Sequence, residues 1–565
     1  MQLVHMIDQA RGLKDADLVI RNCRVVNVLS GEIHDADVGV SRGVFLGFGD
    51  YNAEREFDAQ GRFLLPGLVE GHIHIESTLL TPPRFAQAVA AHGTAAVVCD
   101  PHEIANVLGR AGVEYMLKSS HDLPVSIFFM FPSCVPSTGL EDSGARLNSV
   151  DVEHFLRLYP DRILGLAEMM NFPGVLNKDP QVLAKLAAAK GRIIDGHAPL
   201  LSGMDLNGYV LSGPRSDHEC SRPSEAVEKM RAGMHLMMRE GSLERNMEDL
   251  LSVVNEFNSQ NISIVTDDRS VLDLSENGHL DFGLRRAVKL GMDPLRAVQM
   301  VSINPARYFG LQGYGAVAPG YQASCFLVED LKDFRIRQVF LKGRPLEEHS
   351  FEPANGIPSR SSMHVGAEID ESMFVPEQGC CRIRVIGVKH GQLLTENLEL
   401  EPQLENGLPV ADPERDICKL TVIERHKATG NHGTGFARGL GLARGAIAGT
   451  VAHDSHNLIV AGMNDADMAL AAREAVRMGG GFTVVLDGRV LAALSLPIAG
   501  LMSDKGIDEI ADGVRGLDRA TQQLGCSYNP FMLISFLALP VIPSLKLTDR
   551  GLVDVDEFEP TSLWC

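Results

Sequence analysis

Two histidines separated by one apolar residue close the run Pro66-Gly67-Leu68-Val69-Glu70-Gly71-His72-Ile73-His74-Ile75-Glu76-Ser77. Side chains alternate along a β-strand, so His72 and His74 point the same way. Two imidazoles converging on one point form half of a divalent-metal site, and histidine is not favoured in a buried strand for packing alone. The bland alternative is a pair of surface histidines on an edge strand, and the motif is too short to decide by itself. The preceding Gly-Leu-Val and the following acidic residue mark a strand end that opens into a loop, which favours the metal.

Further candidate ligands each follow an apolar run. Arg162-Ile163-Leu164-Gly165-Leu166-Ala167-Glu168 ends in Glu168, and Arg192-Ile193-Ile194-Asp195-Gly196-His197 ends in His197. Arg215-Ser216-Asp217-His218 and Ile262-Ser263-Ile264-Val265-Thr266-Asp267 add His218 and Asp267. A lone histidine is usually a hydrogen-bonded core or surface residue, and a lone aspartate usually a helix cap. In a (β/α)8 barrel, however, residues at the carboxyl ends of different strands converge on one mouth, so scattered ligands are what that fold predicts.

The elements that would position these residues read as follows. Short strands are expected at 17–20, 22–28, 38–40 and 43–48, and a similar strand-rich patch returns at 323–328 and 339–343. Between them strands alternate with amphipathic helices, among them Pro82 to His92 with Thr81 as N-cap and Ser224 to Glu240. Alternation of this kind predicts a parallel α/β barrel. The domain plan is residues 1–65 pairing with 308–350 in a small composite β domain, 66–307 as the metal-binding barrel, and 351–565 as a C-terminal α/β domain.

A chain of 565 residues has room for two or three domains. A net charge of -21 argues against nucleic acid or an anionic membrane as partner. Apolar residues make up 45% of the chain and charged ones 22%, the balance of a soluble globular protein. The first residues carry no basic-then-apolar signal pattern, and the apolar run Phe531 to Ile542 is too short for a bilayer, so a cytoplasmic protein is expected. Ten cysteines occur without a Cys-x-x-Cys pair, and adjacent Cys380-Cys381 is a poor disulfide, so neither a disulfide framework nor a thiolate zinc site is indicated. The glycine-rich segments at 439–441 and 478–482 lack the Lys-Ser or Lys-Thr of a phosphate loop and read as turns.

The chain resembles the metal-dependent amidohydrolase superfamily and, within it, the adenine deaminases. The resemblance runs through nearly the whole sequence. It rests on His72-Ile73-His74-Ile75-Glu76-Ser77, Asp100-Pro101-His102-Glu103-Ile104-Ala105-Asn106-Val107-Leu108-Gly109, Ser216-Asp217-His218-Glu219-Cys220 and Thr266-Asp267-Asp268-Arg269. Gly278-His279-Leu280-Asp281-Phe282 and Ala452-His453-Asp454-Ser455-His456-Asn457 continue it beyond those motifs. Two positions depart from the family pattern. Ser270 stands where a histidine is frequent, and Leu200 where a glycine is frequent after His-Ala-Pro.

The resemblance implies hydrolytic deamination of adenine to hypoxanthine and ammonia in purine salvage, by two divalent metal ions. One ion would take His72, His74 and Asp267, the other His197 and His218, with Glu168 bridging them in place of the carboxylated lysine of many relatives. Histidine and carboxylate ligands suit manganese, iron or zinc; for this branch the resemblance favours Mn2+, with Fe2+ or Zn2+ open. Such ions lower the pKa of bound water from about 16 towards 7. Asp267 looks like the general base, the plainer alternative being that it only holds metal. His102 and Glu103 are candidates for contacts to ring nitrogens or for bracing ligands, or they simply brace their loop. His453, Asp454 and His456 lie outside the barrel, as a lid, a further ion site or a polar network between domains. The expected partners are adenine and water, with further copies of the chain in a homo-oligomer. Two other readings are another aminopurine or cyclic amide as substrate, and a silent relative that works as a binding protein. The second is disfavoured because no expected ligand is missing.

Overall fold

In the computed structural model the described residues are 2–352, 362–379, 381–389 and 394–565. Cys380, and residues 353–361 of the polar stretch before the C-terminal domain, lie outside them.

Eight short parallel strands form the central barrel: β1 (Leu68–Ile73), β2 (Thr94–Cys99), β3 (Ser126–Phe131), β4 (Ile163–Met169), β5 (Ile193–Gly196), β6 (Ser216–Asp217), β7 (His235–Arg239) and β8 (Ile262–Val265). β1 to β5 pair in sequence, as do β6 to β8, all in parallel. The ring closes where the Arg215 amide donates to Ile194 O at 2.9 Å and the Asp267 amide to His72 O at 2.9 Å. Every residue of β1, β2, β7 and β8 is buried, as expected for strands covered on one face by helices and on the other by the barrel interior. Val69, Ala96, Val98, Met130, Ala167, Met237 and Val265 fill that interior.

The amphipathic helix expected from Ser224 to Glu240 is two elements. A helix spans Pro223–Arg231, Gly233 turns the chain at φ 87°, and β7 follows. Gly233 takes a left-handed conformation that ends a helix, which the side-chain periodicity did not register. The helix after Thr81 runs Pro82–Ala90, and Thr81 stands at its N-cap without a side-chain hydrogen bond. The strands expected at 17–20 and 22–28 are one strand, Ala16–Asn27, whose pairing shifts register between Ile20 and Cys23.

Phe63–Pro66, which leads into β1, pairs antiparallel with Cys325–Val328, so segments from before and after the barrel share one eight-stranded sheet. Beyond residue 380 a second eight-stranded sheet carries helices Asp465–Arg477, Ile507–Gln523 and Pro530–Leu537. This C-terminal unit lies against the barrel mouth. Ser503 N donates to Leu79 O at 2.8 Å and Thr81 N to Ser503 O at 3.2 Å, and one hydrophobic cluster includes Leu79, Ile104 and Val271 together with Val514, Leu517 and Phe531. Among the described residues no helix is long and apolar enough to cross a membrane.

Candidate metal centre

Strict alternation from the inward Val69 would turn Ile73 inward and both histidines outward. Instead Ile73 joins the outer, helix-facing cluster. The β1–β2 pairing shifts register between Glu70 and Ile73, and this irregularity delivers His72 and His74 to the mouth. Gly71 allows it. A Cβ there would sit 3.3 Å from Val265 Cγ1 and 3.4 Å from Pro305 Cβ.

All six expected ligands meet at this mouth. His72 Nε2 and His74 Nε2 lie 3.4 and 3.1 Å from Asp267 Oδ1. His197 Nδ1 and His218 Nε2 lie 2.8 and 3.1 Å from Glu168 Oε2, while Glu168 Oε1 is 3.5 Å from His74 Nε2. Glu168 thus touches histidines of both expected sets. The rings of His72 and His218 stack at 4.2 Å. Five of the six residues are at most 5% exposed; His197 is half-buried.

The donor set fits divalent ions. His74 Nδ1 lies 3.0 Å from Asp100 O, so it carries the proton and leaves the Nε2 lone pair facing Asp267 and Glu168. His72 Nε2 is buried without a hydrogen-bond partner, an arrangement that costs stability unless an electrophile takes the lone pair. Single donor atoms of His72, His74 and Asp267, and of His72, Glu168 and His218, lie within 4.8 Å of one another. Imidazole and carboxylate together suit manganese, iron or zinc.

Two residues to which the sequence reading gave no role, Arg239 and Glu70, complete the arrangement. Arg239, at the end of β7, donates from Nη1 to Asp267 Oδ2 at 2.6 Å and pairs with Glu219. Burial pushes the Asp267 carboxyl up, but the Arg239 guanidinium and the adjacent imidazoles of His72 and His74 outweigh it and hold the group well below the usual range. Glu70 accepts the His72 amide at 3.0 Å and the Thr266 hydroxyl at 2.8 Å, tying β1 to β8 beneath the ligands. Asp267 itself has φ 56°, the left-handed region, where an aspartate is tolerated and where functional sites hold strained backbone.

His102 and Glu103 follow β2. His102 Nδ1 is 3.0 Å from Asp100 Oδ2 and 3.6 Å from Glu168 Oε1, and its Nε2 is 3.4 Å from Glu103 Oε1. Glu103 is turned towards the C-terminal unit, where His453 Nδ1 lies 2.6 Å from Oε1 and His456 Nε2 hydrogen-bonds Oε2. His456 Nδ1 accepts the Ala452 amide at 3.1 Å, so Nε2 bears its proton and donates to Glu103. A polar network between the two units is therefore what these histidines build.

The pattern of the amidohydrolase family matches residues 63–346, and that of the adenine deaminase C-terminal domain matches residues 392–559. Over 561 residues the chain is 56% identical to an adenine deaminase of Oleidesulfovibrio alaskensis, covering 99% of this chain and 98% of the other. The chain belongs to the adenine deaminase family of amidohydrolases. Adenine deaminases of Dehalococcoides mccartyi and Methanothrix thermoacetophila are 47% and 44% identical over 564 and 567 residues, covering 99% of this chain and 98% and 99% of the relatives. The amidohydrolase match holds all six expected ligands, and the match particular to adenine deaminases holds His453 and His456. Neither family departure touches the six. Ser270 Oγ caps a helix by accepting the Asp273 amide at 3.1 Å, and Leu200 is 58% exposed at φ 60°, a conformation that explains a preference for glycine there.

Proposed function

We propose that the protein hydrolyses adenine to hypoxanthine and ammonia at a binuclear metal centre, in purine salvage. The observation that carries this reading is the convergence of His72, His74, His197 and His218 on two carboxylates, Glu168 and Asp267, at one barrel mouth. His72, His74 and Asp267 would hold one ion and His197 and His218 the other, with Glu168 between them. Two such ions, Mn2+ by the resemblance with Fe2+ or Zn2+ equally compatible with the donor set, would supply an activated water at neutral pH and a positive field for the developing negative charge.

The chain's own groups handle the protons. Asp267 stays ionised under Arg239, so its carboxylate is in the form that takes the proton of the attacking water and returns it to the departing amine. Burial pushes the His102 imidazole down, yet Asp100 and Glu103 outweigh it and hold its pKa well above the ordinary histidine value. A protonated His102 donates to a ring nitrogen as the adjacent carbon becomes tetrahedral. Glu103, fixed by His453 and His456, keeps that imidazolium charged. The water oxygen joins the ring carbon, the exocyclic C–N bond breaks, ammonia leaves with the proton relayed by Asp267, and the oxygen gives up its second proton as the carbonyl forms, restoring the one that His102 delivered to the ring.

Exposed Met204 and Leu211, both on the helix Gly203–Ser212 and each 86% accessible, support a homo-oligomer. Metal analysis and an adenine assay on one preparation test the proposal. Ammonia release from adenine by a protein holding two ions per chain is expected, and a metal-loaded protein inert towards adenine would overturn it.

A further inference from the structure

Between the barrel mouth and the C-terminal unit lies a cavity of about 330 Å³. At its inner end stand Asp268, the residue after Asp267, and Ser77, whose hydroxyl hydrogen-bonds Asp268. His453 forms part of the same wall, so the cavity adjoins both the ligand cluster and the Glu103 clamp. Its remaining walls are mostly hydrocarbon. The Phe536 ring lies parallel to that of His453, with centroids 4.7 Å apart, and Phe482 packs on Phe531 at 4.8 Å. Val514 and Leu517, on the helix Ile507–Gln523, close the far side.

The volume falls at the low end of pockets that hold drug-sized ligands, which are larger than a bare base. Such a space next to Asp268 and His453 has room for a purine substituent, and its walls decide which kind. A ribose would surrender the water bonds of its hydroxyls against phenylalanine, valine and leucine with few replacements. A short alkyl group would gain by leaving water.

We infer that the enzyme deaminates aminopurines bearing a short alkyl group on a ring carbon, seating that group in the cavity between its two units. The inference rests on the deaminase reading above. The bond changes are unchanged: water oxygen joins the ring carbon that carries the amine, and ammonia leaves.

The test compares adenine, the two adenines ethylated at either ring carbon, and adenosine, using the metal-loaded full-length enzyme and the variants Leu517→Phe and Val514→Leu, which fill the cavity far from the ligands. At least one ethyladenine should match adenine in kcat/KM to within about tenfold, and filling the cavity should cut that value by about tenfold or more, the scale of a misfit methylene, with adenine little affected. Rejection of both ethyladenines by the unaltered enzyme, or their equal use by both variants, would overturn the inference. The same panel read as ligand-induced thermal stabilisation reports on the cavity even if adenine is not turned over, so the two readings fail separately.

Discussion

Arg239 and Asp267 are joined by a hydrogen bond of 2.6 Å across the barrel mouth, from the end of β7 to the residue chosen as proton acceptor. The same guanidinium pairs with Glu219, so one buried cation sets the charge of two carboxylates beside the ligands. Arg239→Gln should therefore cost more than a contact. Asp267, with its depressed pKa, works only above the pH at which it ionises, so losing the cation moves the acid limb of kcat/KM to higher pH. A pH–rate profile superimposable on that of the unaltered enzyme would remove Arg239 from this role.

Glu168→Gln should lower both ion content and turnover, because four imidazoles and two carboxylates are more ligands than one tetrahedral ion uses. Elemental analysis of a fully active preparation is the check. A single ion per chain would count decisively against the binuclear centre.

Asp267→Asn should fold and keep part of its metal, yet lose turnover by about 10²–10⁴-fold from general-base catalysis alone. Circular dichroism and metal content read the first part and ammonia release the second. A near-normal rate with intact metal excludes Asp267 as the base.

His453→Ala releases one of the two histidines that hold Glu103. Adenine turnover should fall, and the preference for adenine over adenosine should narrow, because a site that hydrogen-bonds a ring N–H rejects an analogue lacking it by about 10⁴–10⁵ only while its polar groups are fixed. Comparable kcat/KM for the two substrates in the unaltered enzyme would refute this argument from fixed polar groups and leave metal binding untouched.

The meeting of Glu168, His197 and Asp267 at one mouth was legible because each follows an apolar run and the barrel topology gathers such strand ends, whereas His218 follows the polar Arg215-Ser216-Asp217 and came from the motif resemblance. Arg239 was hidden: Pro223–Arg231 and His235–Arg239 together mimic one helical pattern, and only the left-handed Gly233 separates them. The facing of His72 and His74 came out as alternation within the motif suggests, but the register shift behind it has no signature in residue types. Nor could spacing announce that Glu103 meets His456, since nothing local relates two residues 353 positions apart.

That separation bears on biosynthesis. A ribosome releases the barrel and its ligands long before it reaches His453, and until then the Glu103 carboxylate and the apolar rim around Leu79 and Val271 have no cover. Until the last third of the chain has been made and docked, the carboxylate that His453 and His456 clamp and this apolar rim face solvent.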